Sequence, residues 1–263
     1  MKMSGAGNDF VVADNRQGGF PTDATVIAHI CDRRFGVGAD GVLLVEPAPQ
    51  ADFFMRYYNA DGSEAEMCGN GARCISRFFV EQCGAKSREV KFETKAGPMR
   101  AIVTGESVRL HMTDPRDIRL RQTIRLQTGS REYHFANTGV PHVIFFSDDV
   151  SREPVAELGA AVRYHTDFEP RGTNVNFVQQ LAGNNAIRVR TYERGVEAET
   201  LACGTGVTAS AILTHLVEGL TPPVKITVQS GRQLEVDFTP AGEAVRDVFL
   251  TGPAEYAFAG TLL

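Results

Sequence analysis

The chain repeats itself. Cys203 stands 135 residues after Cys68, and each cysteine opens the same short pattern, Met67-Cys68-Gly69-Asn70-Gly71 and Ala202-Cys203-Gly204-Thr205-Gly206. Sliding the sequence over itself by 134 or 135 positions aligns far more than these segments. Ser4-Gly5-Ala6-Gly7-Asn8 falls on Thr138-Gly139-Val140-Pro141-His142, Gly38 to Leu44 falls on Gly172 to Val178, Arg56 and Tyr58 fall on Arg190 and Tyr192, and Gly97 falls on Gly231. A repeat in one register over most of a chain, present in only two copies, means two half-domains of one architecture. Pro115 and its polar neighbours mark the junction, which predicts a first domain of 1–115 plus 253–263 and a second of 116–252.

Within each half the hydrophobic pattern reads strand, helix, strand, strand, loop, helix, hairpin. Phe10 to Asp14, Gly41 to Glu46 and Phe53 to Tyr58 read as strands. Thr22 or Asp23 can cap a helix reaching about Arg34, and Ala72 to Gln82 and Thr208 to Glu218 read as the helices behind the two cysteines. Ala209-Ser210-Ala211-Ile212-Leu213 carries no charge on any face, so its helix is expected to be buried. The fold class is therefore α/β (α+β): two pseudo-symmetric domains, each a mostly antiparallel strand layer or barrel around a central helix. Arg131 to Asn137 reads as a strand in the second half, where the first half has only Met1, Lys2 and Met3. The opening strand of the first half thus looks truncated, with native residues expected upstream of Met1 and the tail after Pro253 expected to return as edge cover.

The chemistry concentrates at the repeated cysteines. A thiol at a helix N-terminus has its pKa lowered, and the following glycines let a ligand approach the backbone closely. Two such thiols in equivalent settings suggest a paired base and acid. Cys31, Cys74 and Cys83 lie in or beside helical stretches and read as structural. Asn8, Asn59, Asn70, Asn174, Glu193 and Arg194 lie near glycines or strand ends, and the repeat brings several of them to the end of the fold that holds the cysteines. Arg194 is suited to a carboxylate, Glu193 to an ammonium, and His142 occupies the position equivalent to Asn8. Gly36-x-Gly38-x-x-Gly41 lacks the strand–turn–helix context of a dinucleotide site. No metal-ligand spacing occurs, so no metal is expected. A net charge of −5 speaks against a nucleic-acid partner. No apolar run has the length of a membrane span. Five cysteines with no secretory signal predict reduced thiols and a cytoplasmic protein.

Taken together, these segments resemble the diaminopimelate epimerases. The likeness rests on Lys2-Met3-Ser4-Gly5-Ala6-Gly7-Asn8-Asp9-Phe10, Arg34 through Gly41, Asn59-Ala60-Asp61-Gly62-Ser63-Glu64, Glu66 through Arg73, Gly139-Val140-Pro141-His142, Gly172-Thr173-Asn174-Val175, and Glu193-Arg194-Gly195 through Gly206. They run in family order over nearly the whole chain. The resemblance implies a cofactor-independent amino-acid epimerase interconverting LL- and meso-diaminopimelate, a step toward lysine and peptidoglycan precursors. It makes Cys68 and Cys203 the acid–base thiols, supported and polarised by His142 and Glu193. It assigns Asn8, Asn59, Asn174, Glu193 and Arg194 to the distal end of the substrate. Gly69-Asn70 and Gly204-Thr205 become backbone donors to the reacting carboxylate. No cofactor is implied, and a homodimer is. A cleft between the halves is the expected place for the site. The competing readings are a proline or hydroxyproline racemase-like enzyme and a non-catalytic amino-acid-binding protein. Glu193, Arg194 and Asn70 favour a diamino diacid over proline, and two intact cysteines speak against binding alone.

Overall fold

The computed structural model describes residues 1–183, 185–242 and 244–261. Two residues of the expected C-terminal return, 262 and 263, lie outside the described residues. The chain forms two compact units, Met1–His111 with Thr251–Leu263, and Met112–Leu250.

The first unit runs β1 (Lys2–Gly5), β2 (Asn8–Asp14), α1 (Ala24–Cys31), β3 (Gly41–Glu46), β4 (Phe53–Asn59), β5 (Glu64–Ala65), α2 (Gly69–Gln82), β6 (Glu89–Thr94), β7 (Gly97–Thr104) and β8 (Ser107–His111). β2 pairs parallel with β3 and β4 parallel with β6, and the other pairings from β1 to β8 are antiparallel. α2 packs against β1, β2, β3, β4, β7 and β8, so strands surround it. α1 ends at Cys31, short of the expected Arg34. The Asp32 carboxylate accepts the N–H groups of Arg34 and Phe35, both at 2.7 Å, and this local turn outcompetes another helical turn.

The second unit has the same plan. It runs β9 (Arg116–Leu126), β10 (Gly129–Asn137), β11 (Pro141–Phe146), α3 (Val155–Arg163), β12 (Asn174–Leu181), β13 (Ala186–Glu193), β14 (Ala198–Thr200), α4 (Gly204–Glu218), β15 (Val224–Thr227), β16 (Gln233–Ala241) and most of β17 (Ala244–Pro253), which passes into the first unit at Thr251. Again two of the described pairings are parallel, β11 with β12 and β13 with β15. α4 packs against β10, β11, β12, β13, β15 and β16. The mixed α/β class and the doubled plan agree with the sequence reading.

Burying helices of this composition requires their polar atoms to be satisfied. In α4 the hydroxyls of Thr208, Ser210 and Thr214 each donate to the carbonyl four residues earlier, at 2.9, 2.7 and 2.7 Å. Small side chains with internally satisfied hydroxyls let the helix go under without stranded polar groups. Gly219, at φ 75°, closes α4 in the left-handed conformation. In α2 the buried arginines are held by the C-terminal segment. Arg73 Nε donates to Pro253 O at 3.2 Å, and Arg77 Nη1 to Ala254 O at 2.6 Å. That segment continues as β18 (Glu255–Phe258), antiparallel to β1. β9 fills the corresponding slot beside β10.

Candidate active site

Both central helices start directly after their cysteine, earlier than the periodicity suggests. Gly69 to Gly71 and Gly204 to Gly206 form the first helical turns, and Cys68 and Cys203 are extended N-cap residues whose side chains do not cap. Ala72 N–H to Cys68 O (2.7 Å) and Val207 N–H to Cys203 O (3.0 Å) are the first helical hydrogen bonds. The N–H groups before them have no intrahelical acceptor, and each sulfur stands beside this positive end.

In the first unit, Cys68 meets Asn8. The Asn8 amide nitrogen donates to Asp40 Oδ2 at 2.6 Å. A carboxylate only accepts, so this bond fixes the amide orientation and turns Asn8 Oδ1 toward Cys68 Sγ (3.5 Å) and Asn70 Nδ2 (3.3 Å). Asp40 is held in turn by Arg33, which also pairs with Asp9, and Lys2 pairs with Asp9 at 2.6 Å. This network keeps the Asp9 carboxyl well ionised, down to about 2: the Arg33 and Lys2 bonds outweigh the upward push of burial. Behind the helix end, Arg73 is fully buried and donates to Asn70 Oδ1 at 2.9 Å. Its Nη1 has no hydrogen-bond partner among the described residues, burial lowers its pKa, and the groups that offset this are the Cys74 and Cys68 thiols.

In the second unit, Cys203 is buried and lies 3.6 Å from Thr205 Oγ1. Thr205 Oγ1 is 2.9 Å from Nε2 of His142, and His142 Nδ1 is 3.1 Å from Asn176 Nδ2. His142 is completely buried. Burial first, and the charge of Arg194 second, hold its pKa down from 6.5 to about 3, so it is neutral at physiological pH. Glu193 Oε2 accepts from Thr200 Oγ1 at 3.0 Å, and its carboxyl also accepts from the Cys203 thiol. Burial raises the Glu193 pKa, with these two bonds opposing. Arg194 is placed by Asn174, whose Oδ1 accepts the Arg194 backbone N–H at 2.9 Å while its Nδ2 donates to Pro141 O at 3.0 Å. The Arg194 guanidinium donates to Arg171 O at 3.3 Å and has no salt bridge among the described residues. Burial, Arg163 and Arg171 all push its pKa down. The charge of Glu197 opposes them.

A family model described as diaminopimelate epimerase matches residues 1–118 and 134–257. The chain belongs to the diaminopimelate epimerase family. It is 43% identical to the diaminopimelate epimerase of Chlorobaculum tepidum over 264 residues, covering 99% of both chains. It is also 43% identical to that of Aquifex aeolicus over 275 residues, covering 99% of this chain and 96% of the relative. Solved structures share the fold. A probable proline racemase from Agrobacterium radiobacter superposes with a TM-score of 0.73 at 20% identity, covering 100% of this chain and 92% of that one. A hydroxyproline epimerase from Agrobacterium vitis gives 0.72 at 19% identity, covering 98% and 90%. No helix among the described residues is long and apolar enough to cross a membrane.

Among the residues singled out in the sequence, Asn8, Cys68, Gly69 and Asn70 come together in the first unit of this epimerase-family chain. His142, Glu193, Cys203, Gly204 and Thr205 come together in the second, with Asn174 and Arg194 beside them. Asn59 lies at a turn, where its Nδ2 donates to Ser63 Oγ at 3.1 Å. Cys31, Cys74 and Cys83 are buried, and burial pushes their thiols up to about 11, about 12 and about 11, which makes them unreactive. Asn176, Thr200, Arg73 and Asp40 belong to the site and were not singled out. Asn176 had a signal: the repeat places it on Val42, a buried apolar residue, so a polar side chain enters the core in only one half.

Proposed function

We propose that this chain interconverts LL- and meso-diaminopimelate, with Cys68 and Cys203 as the two acid–base groups. One sulfur, as thiolate, takes the α-proton. The electron pair of the broken C–H bond delocalises into the α-carboxylate. The other sulfur, as thiol, returns a proton to the opposite face. The observation that carries this reading is the doubling itself: each repeat unit sets a thiol at the N-terminus of its central helix, with an ionisable or hydrogen-bonding partner at the sulfur.

The remaining assignments follow from charge. The first-turn N–H groups at Gly69, Asn70, Gly204 and Thr205 are suited to the carboxylate whose charge grows in the transition state. Each helix end contributes up to ~2 kcal/mol in a partly buried geometry. Arg194 is suited to the distal carboxylate, and Asn8, Asn59, Asn174 and Glu193 to the distal amino-acid end. His142, held neutral by burial, supports that sulfur through Thr205. It is not the proton acceptor. The protein is read as cytoplasmic, with a small-molecule substrate and a homodimeric assembly.

The test is exchange of the α-hydrogen in deuterated water. LL-diaminopimelate should gain deuterium at one α-carbon as the meso isomer forms, while proline should gain none. Exchange into proline alone would move the reading to a proline racemase. Exchange into neither would leave a binding protein.

A further inference from the structure

Asn176 sits on β12, fully buried, and all its polar capacity is directed. Its Nδ2 lies 3.1 Å from Val143 O and 3.1 Å from His142 Nδ1. Its Oδ1 accepts from Thr191 Oγ1 at 2.9 Å. The carbonyl of Val143 can only accept, so the group facing it is the NH2, and the orientation of the amide is settled by chemistry. The second N–H of that NH2 then points at His142 Nδ1, which must be an acceptor. A neutral imidazole that accepts at Nδ1 carries its proton on Nε2. Nε2–H therefore donates to Thr205 Oγ1, at 2.9 Å. Among the described residues Thr205 Oγ1 has one other hydrogen-bond partner, the Cys203 sulfur. With a lone pair taken by the imidazole, its own proton is left for the sulfur.

We infer that Asn176 is a positioning residue for the reaction: it fixes the Nε2–H tautomer of His142, which fixes Thr205 as a hydrogen-bond donor to the Cys203 thiolate. The inference rests on Cys203 being one of the two acid–base thiols. The internal repeat supports it independently. Where the second half has His142, the first has Asn8, and where the second has Asn176, the first has Val42. An amide at position 8 has no tautomer to fix, and its orientation is set from outside by Asp40. Only the half that uses an imidazole places an amide at this strand position. Gly206 completes the arrangement. A Cβ there would stand closer than 3.0 Å to Asn176 Oδ1 and 3.3 Å from both the Cys203 sulfur and His142 Cε1. Other charged groups also bear on this relay. The Glu193 carboxyl faces the sulfur from β13, and Arg194 acts on His142 by its charge. A donor hydroxyl offsets the pressure of the Glu193 carboxylate on a thiolate.

The first test needs no variant. In full-length protein with nitrogen-15 histidine, His142 (identified by comparison with His142→Gln) should show a protonated Nε2 and an unprotonated Nδ1 across the neutral range. A protonated Nδ1 overturns the inference. Asn176→Asp replaces the N–H facing Nδ1 with an acceptor and should move the proton to Nδ1; persistence of the Nε2–H form in that variant overturns the role of Asn176. The second test reads the sulfur, by following iodoacetamide alkylation of Cys203 against pH in a Cys68→Ser background. A hydrogen bond to a charged group corresponds to about one to two pH units. The midpoint should rise by that much in Thr205→Val and return to the parent value in Thr205→Ser. A folded Thr205→Val protein with an unmoved midpoint overturns the relay. These readouts do not depend on substrate turnover. Loss of the epimerase reading would show in the deuterium exchange of the unmodified protein instead.

Discussion

Gly71 and Gly206 occupy the same place in the two repeats, three residues after the cysteine in the first turn of the central helix. Replacing either with alanine raises helix propensity by about 0.8–1.0 kcal/mol. Their surroundings differ. At Gly71 the new Cβ would meet Leu43 Cδ1 and Cδ2 at 3.2 Å and Met55 Cε at 3.5 Å, the ends of flexible side chains that can shift by a few tenths of an ångström. The two effects nearly cancel, and Gly71→Ala should stay within about 1 kcal/mol of the parent. At Gly206 the new Cβ collides with Asn176 Oδ1, which cannot yield, because Asn176 is bound to Val143 O, His142 Nδ1 and Thr191 Oγ1. Overpacking costs about 1–3 kcal/mol, and each buried polar atom left unpaired costs about 1–3 more. Against a propensity gain near 1 kcal/mol, Gly206→Ala should lose about 2–4 kcal/mol and at least tenfold in turnover. Urea denaturation of the two variants side by side gives the first quantity, and α-hydrogen exchange the second. Equal stability losses at the two positions, or parental turnover in Gly206→Ala, would refute the claim that this glycine protects the Asn176–His142–Thr205 alignment.

Cys68→Ala and Cys203→Ala should each abolish epimerisation with an unchanged urea midpoint; near-parental turnover in either removes the two-thiol mechanism. Arg194→Lys keeps the charge but loses the planar fork, so KM for diaminopimelate should rise strongly; unchanged kinetics would place Arg194 outside the binding site. His142 has a folded pKa of about 3 against 6.5, so below 6.5 the unfolded chain binds a proton that the folded protein refuses. Stability from this source is complete above neutrality and falls by about 1.4 kcal/mol per pH unit on acidification, down to the folded pKa. His142→Gln should flatten that part of the urea midpoint against pH, and an unchanged slope would contradict a buried neutral imidazole.

The internal repeat made the doubled plan and the two central helices legible, because helix burial and strand alternation leave periodic marks. Helix starts were not legible at Gly69 and Gly204, because glycine in a first turn looks like loop. β9 was missed for a different reason. Its alternation is masked by Arg116, Arg119, Arg121 and Arg125, and among its residues only Ile124 is buried. Asp117 and Arg121, both at positive φ, bend it further from a regular strand. At the site, the cysteines announced themselves through local context. Asn176 and Arg73 did not, since what matters is which buried atom each one faces.

Reversible epimerisation asks each sulfur to be a base in one direction and an acid in the other, so both its charge states must be served. The two repeats meet that demand with different residues. At Cys68, Asn8 Oδ1 accepts the S–H, and the buried Arg73 guanidinium, with no carboxylate paired to it among the described residues, favours the thiolate. At Cys203, Glu193 accepts the S–H, and the Thr205 hydroxyl is the donor for the thiolate. Removing one partner from each pair should therefore move the two thiols in opposite directions. Arg73→Met deletes a cation and should raise the alkylation midpoint of Cys68, measured with Cys203→Ser, by about one pH unit. Glu193→Gln deletes an anion and adds a donor, and should lower the midpoint of Cys203, measured with Cys68→Ser, by a similar amount. Because neither change alters the equilibrium between the substrate isomers, each should reduce kcat/KM by the same factor in both directions. Midpoints that shift with the same sign would mean that Arg73 and Glu193 do not act on the sulfurs as opposing charges.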